Sequence, residues 1–151
     1  MADAFVRGGD SVIATSRSVA RLRAATNRLN RLGVVEILPC DVRRAGDVSR
    51  VARFIQRRHK KIDLLVNNAG VTAFKEFART SLKEFDEILQ SNLRGLFLTT
   101  HAILPLMMRR KRGTILNILS YAAKTTYTKS AAYSAAKAGS AAMMNSLRAE
   151  V

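Results

Sequence analysis

Ile62-Asp63-Leu64-Leu65-Val66-Asn67-Asn68-Ala69-Gly70 sets an aliphatic run directly ahead of two asparagines and two small residues. A short, largely apolar run of this kind suits a strand covered on both faces. Three other segments share the character: Val12-Ile13-Ala14-Thr15, Val34-Val35-Glu36-Ile37-Leu38 and Thr114-Ile115-Leu116-Asn117-Ile118-Leu119. Stretches of helical period separate them. Leu22, Ala25, Leu29 and Leu32 recur at steps of three and four, and Val48, Val51, Ala52 and Ile55 share one helical face. Strands alternating with such helices are the pattern of βαβ units, so the chain reads as α/β with a parallel sheet. Ser81 with Glu84 forms a capping box ahead of Phe85, Ile88, Leu89, Leu93 and Leu96. It predicts the start of a long helix, which Pro105 should kink or end. No internal repeat, low-complexity tract or interdomain linker interrupts the pattern.

Composition narrows the class further. A chain of 151 residues that is 48% hydrophobic fits one domain with a substantial core. Its longest apolar region, Gly95 to Met108, is broken by Thr99, Thr100 and His101 and falls short of the roughly 20 residues a membrane span needs. The N-terminal segment lacks an apolar core before a cleavage site, and Asp3 and Asp10 argue against a transit peptide, so a cytoplasmic protein is expected. Cys40 is the only cysteine; no internal disulfide can form, and a packing role is expected. The net charge is +15, with clusters at Arg57-Arg58-His59-Lys60-Lys61 and Arg109-Arg110-Lys111-Arg112. Such a surface attracts polyanions. Because the basic residues are spread over several segments without interleaved aromatics, they read as solvated helix ends and argue against dedicated nucleic-acid binding.

The candidate chemistry lies in two places. Asn67-Asn68-Ala69-Gly70 follows a predicted strand, and ligands of open α/β sheets collect beyond the carboxyl ends of the strands. Small residues there let a ligand approach the backbone, while asparagine amides can tie neighbouring segments together. Ser120 ends the fourth apolar run, and Tyr133 and Lys137 follow it four residues apart. On a helix those two share a face, so phenol and ammonium can point into one site. A cation within a few ångströms favours the ionised form of a phenol, which suits it to acid–base work. His101 and Cys40 have no companions at metal-ligand spacing, and no metal is expected.

With these motifs in order, the chain resembles the short-chain dehydrogenase/reductase family over nearly its whole length. Cys40-Asp41-Val42, Asn92 with Gly95, and Asn117-Ile118-Leu119-Ser120 extend the likeness, while Ala123 departs from it at a position that is often glycine. The resemblance implies a Rossmann-like doubly wound parallel sheet, NAD or NADP as cofactor, and carbonyl reduction or alcohol oxidation of a small molecule by hydride transfer. It implies that Tyr133 is the proton donor, and that Lys137 favours the ionised phenol and binds the nicotinamide ribose. Ser120 would orient the substrate carbonyl, and Asn92 would support a water-linked proton relay to the lysine. Asn68, Ala69 and Gly70 would let the cofactor approach, and Asp41 and Val42 would contact adenine, the first through its carboxylate and the second by apolar packing. Ser16 and Arg17 follow the strand whose end usually faces the adenosine ribose. A carboxylate there would repel a 2′-phosphate, whereas Arg17 can pair with one, so NADP is expected in preference to NAD.

Family members begin with a strand and a glycine-rich turn that places the pyrophosphate at a helix N-terminus. Gly8-Gly9 cannot fill that role, since they precede the second family strand, and the likeness stops at Ala149-Glu150-Val151, before the sixth. Residues 1–151 are therefore expected to form a partial single Rossmann-type dehydrogenase domain, truncated at both ends. In the order 3-2-1-4-5-6 the first strand lies between the second and fourth, so a central gap with unpaired backbone on both sides is expected, and with it weak stability and weak cofactor binding. Two functions remain open: an NADP-dependent oxidoreductase, or a non-catalytic truncated pseudoenzyme acting as an interaction module. Both allow a homo-oligomer through the Glu84–Met108 helix and the small-residue helix around Ala132, Ala136 and Gly139, which commonly form the family's dimer interface.

Overall fold

Each aliphatic run forms a strand, the Val48–Ile55 stripe lies on a helix, and so do Leu22 and Leu29 of the first stripe. The computed structural model describes residues 1–31 and 33–151. Leu32 of the first stripe lies outside them, as does the side chain of Ala25. The order is α1 (Ala2–Arg7), β1 (Val12–Ser16), α2 (Val19–Leu29), β2 (Val35–Pro39), α3 (Ala45–Arg58), β3 (Leu64–Asn67), α4 (Leu82–Leu89), α5 (Gly95–Arg110), β4 (Thr114–Asn117) and α6 (Ala131–Glu150). β3 starts two residues later than expected and takes Asn67 as its last residue.

All strand pairing is parallel. β1 pairs with β2 in register from Val12 opposite Val35 to Ser16 opposite Pro39, and β3 pairs with β4 from Leu64 opposite Thr114 to Asn67 opposite Asn117. Among the described residues no strand joins β1 to β3, so the sheet is two separate pairs and has the expected gap. One expectation fails as a result. The aliphatic runs read as strands covered on both faces, yet Asn67 alone among the strand residues is fully buried. Without a strand between the pairs, β1 and β3 each keep an open edge.

The main core forms where α3 and α5 pack together. Ile55, Ile103, Leu106 and Met107 are buried there, with Ile13, Leu65 and Ile115 of three strands packed against them. A second cluster joins α4 to α6 through Ile88, Ala132 and Ala136, with Phe85, Leu93 and Tyr133 at its margin. Burying such side chains stabilises the fold by about 1.5–3 kcal/mol each. α2 turns Leu22 and Leu29 inward against β1 and β2, and Cys40 is buried in a packing position where burial raises its thiol pKa.

The capping box is present: Ser81 Oγ accepts from Glu84 N, and the Glu84 carboxylate accepts from Ser81 N at 2.9 Å. Lys75, 2.7 Å from that carboxylate, holds Glu84 at about 2, well below the usual carboxylate range. The long helix expected from this start runs unbroken from Leu82 to Arg110, with a π turn at Gln90–Arg94 between α4 and α5. Pro105 does not end α5, which runs on to Arg110. Proline removes only one N–H from the ladder, and Pro105 sits on the exposed side of the helix, where water can serve the freed carbonyl. α5 stops at Lys111, which takes the left-handed conformation (φ 50°) and returns its N–H to the last carbonyls.

Asn67 ties β3 to its neighbours. Its Nδ2 donates to Thr100 Oγ1 at 3.0 Å and Asn117 Oδ1 at 2.9 Å, and its Oδ1 accepts from Thr99 Oγ1 at 2.6 Å. Asn67→Ala would leave Thr100 and Asn117 without this donor in a buried setting, a loss of about 1–3 kcal/mol. The urea midpoint of unfolding should fall accordingly, and an unchanged midpoint would show that the network is not structural.

Candidate active site

α6 brings the helical part of the site together. Ala136 and Ser140 are fully buried, Lys137 is 7% exposed, and Tyr133 is half-buried on the same face. Such burial of a lysine is uncommon and calls for a specific partner. Lys137 Nζ donates to the Ile118 carbonyl at 2.9 Å and lies 5.7 Å from the centre of the Tyr133 ring. Ile118 is itself placed by the sheet, since its N–H donates to Asn67 O at 2.9 Å just beyond the β3–β4 pairing. The phenol and the ammonium therefore do share one site, and β4 holds the lysine end of it.

Asn92 enters from the π turn. Gly95 N–H reaches back five residues to Gln90 O, a wider loop than an α-helix makes, and Asn92 sits inside it at 2% exposure. Its Nδ2 donates to Val71 O at 2.9 Å and to Ile88 O at 3.0 Å. Its Oδ1 is buried with no partner among the described residues. Gly70 closes against it: a Cβ at Gly70 would stand 2.5 Å from Asn92 Oδ1 and 3.8 Å from Lys137 Nζ. Gly70, Asn92 and Lys137, from three separate segments, thus converge. Asn68 and Ala69 are exposed beside them.

Ser120 starts the 3-10 turn Tyr121–Ala123, which packs against α6. It is half-buried, and its Oγ accepts from Ala122 N at 3.2 Å. Ala123, the departure from a position that is often glycine, completes the turn.

The remaining candidates gather elsewhere, at the ends of β1 and β2. Ser16 Oγ accepts from Ser18 N at 3.2 Å, and Ser18 in turn caps α2 by accepting from Arg21 N. Arg17 is exposed, and its charge acts on Asp41. Asp41 is engaged more closely than its sequence context showed. Arg43 donates to it through the backbone N–H, Nε and Nη2, the last at 2.6 Å, and this pairing holds the carboxyl at about 2. Both carboxylate oxygens are thereby occupied. Val42 packs on Gly95, where a Cβ would stand 2.8 Å from its Cγ2, and Arg94 Nη1 donates to Arg43 O at 2.6 Å. These contacts tie the Asp41 turn to the π turn.

Four features went unread in the sequence: the π turn, the Ile118 carbonyl, Arg43 and Ser140. Ser140 Oγ lies 2.7 Å from Ala136 O and 3.2 Å from Asn92 O, joining α6 to the π turn. A signal for Ser140 was present, because it stands three residues after Lys137 and so shares its face. For the others no local pattern pointed to the partner. No group of three or more His, Cys, Asp or Glu residues suited to a metal ion occurs among the described residues.

Residues 1–151 match the short chain dehydrogenase family model. Ketoacyl reductase HetN of a Nostoc species is 34% identical over the whole chain, which spans 53% of that protein. The NADP-dependent 3-hydroxy acid dehydrogenase YdfG of Salmonella typhi is 36% identical over 89% of the chain, which spans 54% of it. Among solved structures, a metagenomic short-chain oxidoreductase in complex with NADP superposes with a TM-score of 0.94 at 33% identity, covering 99% of this chain and 68% of the other. An actinorhodin polyketide ketoreductase with NADPH superposes at 0.95 and 29% identity, covering 99% of this chain and 58% of the other. The chain thus spans about half the length of the relatives it matches in sequence.

The Asp41–Arg43 pair makes stability depend on pH. A carboxyl depressed in the folded state contributes stability that is present above its ordinary value of 3.8 and lost as pH falls through about 2. Asp41→Asn should therefore unfold at lower denaturant than the parent chain at neutral pH. The difference should close over that acidic window, and a difference independent of pH would refute the assignment.

Proposed function

The chain belongs to the short chain dehydrogenase family, and on that premise we propose that it catalyses NADP-dependent hydride transfer between the nicotinamide and a small-molecule carbonyl or alcohol. The observation that carries the reading is the convergence of Gly70, Asn92 and Lys137 beside Tyr133. Residues 1–151 are, in this reading, the part of a single Rossmann-type domain that holds the acid–base side chains.

The residues fit the cofactor on its nicotinamide side. Lys137 holds a buried ammonium with one described partner, the Ile118 carbonyl, so its other donors are free for ribose hydroxyls. Gly70 lets the backbone come close where any side chain would strike Asn92, and Asn68 and Ala69 continue that open wall. On the adenine side, Val42 offers an apolar surface, and Arg17 with Ser16 can receive a 2′-phosphate. Asp41 would reach adenine only by sharing its carboxylate with Arg43. NADP, when bound, supplies or accepts the hydride.

The chain's own residues handle the proton. Tyr133 gives its phenolic proton to the substrate oxygen during reduction and takes it back during oxidation, with the Lys137 ammonium 5.7 Å from the centre of its ring. Ser120 donates to the same oxygen and orients it. Asn92 Oδ1 is a buried acceptor with no partner among the described residues, a state that costs about 1–3 kcal/mol. A water between it and Lys137 would satisfy it and connect the lysine to a proton relay. The NADP preference rests on Arg17, and the cofactors named for the relatives agree with it.

A second reading has its own observation. Phe97 and Met108 on α5 are 48% and 56% exposed, so this helix can associate with a second copy, through α5 and α6, whether or not the site turns over. A non-catalytic interaction module would keep that association and fail to bind NADPH.

Tyr133→Phe should lower turnover of a carbonyl substrate by at least about 100-fold while NADPH binding is retained. Turnover that survives the substitution would remove Tyr133 as the proton donor. Arg17→Ala should weaken NADPH binding roughly 10-fold and leave NADH unaffected, since it deletes a charge-assisted contact to the 2′-phosphate alone. Calorimetric titration of both cofactors checks this, and equal losses for the two would contradict the preference.

A further inference from the structure

The segment that leads from Ser120 to Tyr133 holds two more tyrosines on a fixed backbone. Tyr121 follows Ser120 directly, and Tyr127 stands just ahead of Ser130, the N-cap of α6. The Tyr121 carbonyl accepts from Lys124 N at 2.9 Å and from Thr125 N at 3.1 Å. The Tyr127 carbonyl accepts from Ser130 Oγ at 2.8 Å, and Ser130 is buried. The two rings meet edge to face, with centres 6.4 Å apart and planes at 71°. Beyond that contact they are open. Tyr121 is 68% exposed and Tyr127 47%, and no side-chain hydrogen bond among the described residues uses either phenol. The fold therefore holds the main chain here without calling on the rings.

A further ring stands on the segment that leaves Gly70. Lys75 N donates to Lys129 O at 2.6 Å, and Lys129 Nζ lies 3.2 Å from Glu76, so this segment is joined to the one after Ser120. Phe74, beside Lys75, is 65% exposed. Aromatic residues make up only 6% of the chain, so composition does not account for three open rings on the two segments that border the site. Exposed apolar surface gathered in this way marks a ligand groove.

We infer that Tyr121 and Tyr127 determine specificity, selecting a carbonyl or alcohol substrate with an aromatic ring attached to the reacting carbon. The assignment rests on the proposed reaction, which sets the substrate oxygen at Ser120 and Tyr133. Consecutive Cα atoms are about 3.8 Å apart, so a ring on the carbon that bears this oxygen is within reach of Tyr121, against which Tyr127 packs. An aromatic ring has a negative face and a positive edge, and an open edge-to-face pair offers both surfaces to it. A saturated ring of the same size has neither and gains only the burial.

The test uses the full chain with NADPH and two ketones of one carbon skeleton, acetophenone and cyclohexyl methyl ketone. The chain has three tyrosines, so ring-labelled tyrosine gives each site its own magnetic-resonance signal. Acetophenone should shift the Tyr121 and Tyr127 signals and bind at least about 3-fold tighter than the saturated ketone. Replacing both residues by leucine should abolish that preference and replacing both by phenylalanine should keep it, with the Tyr133 signal reporting binding in the variants. The proposal is overturned if the ketones bind equally, if neither binds, if the shifts are confined to Tyr133, or if the preference survives Tyr121→Leu with Tyr127→Leu. Ring-selective binding at Tyr121 and Tyr127 without turnover counts against the proposed reaction and supports the ring assignment. Turnover of both ketones at equal kcat/KM counts against the ring assignment alone.

Discussion

The Asn67 side chain bonds to Thr99, Thr100 and Asn117 while its carbonyl takes the N–H of Ile118, so one residue at the end of β3 sets the positions of both α5 and β4. The next link is Ile118, whose own carbonyl receives the Lys137 ammonium. Three residues after Asn67, Gly70 meets Asn92 and approaches that same ammonium. Sheet end, π turn and helix face are thus coupled through a few polar contacts in a largely buried setting. There a lost partner costs more than a hydrogen bond contributes when both partners are present.

Charge works on a different scale from these contacts. The chain has 26 lysines and arginines against 11 acids, and the acids are mostly held by cations. Glu36 lies within 2.9 Å of Arg58 and 2.7 Å of His59, and Asp63 is held by Arg110, which lowers its carboxyl pKa. Exposed pairs of this sort contribute little to stability and weaken with salt, so their effect is on where helix ends sit. The uncompensated arginines, Arg17 among them, leave a positive field that favours a phosphorylated ligand.

The open edges and the site are separate consequences of one architecture. Each strand pair is complete within itself and supported by helices, so the core around Ile55 and Ile103 and the cluster around Ile88 and Ala136 both persist across the gap. Placing Lys137 requires only β3, β4, α6 and the π turn. Ser16, Arg17, Asp41 and Val42 are placed by β1 and β2, and they are joined to the rest by the Val42–Gly95 contact and the Arg94 bond to Arg43 O.

Much of this was readable in the chain because it is local. The Ser81–Glu84 cap spans three residues, the Val48–Ile55 stripe is one helical face, and the Tyr133–Lys137 spacing is one turn, so neighbouring residues decide each of them. Strand order and the gap followed from the ordered motifs through the likeness they carry. The π turn, the pairing of Asp41 with Arg43, the passage of α5 through Pro105 and the unpartnered Asn92 Oδ1 did not follow. They turn on whether a competing partner, solvent or packing surface is present, and on contacts such as Asn67 with Asn117, 50 residues apart. The sequence by itself determined which residues could form the site and on which elements they ride. Only the tertiary structure decided which of them touch, because distant segments must first pack before buried polar groups gain or lose their partners.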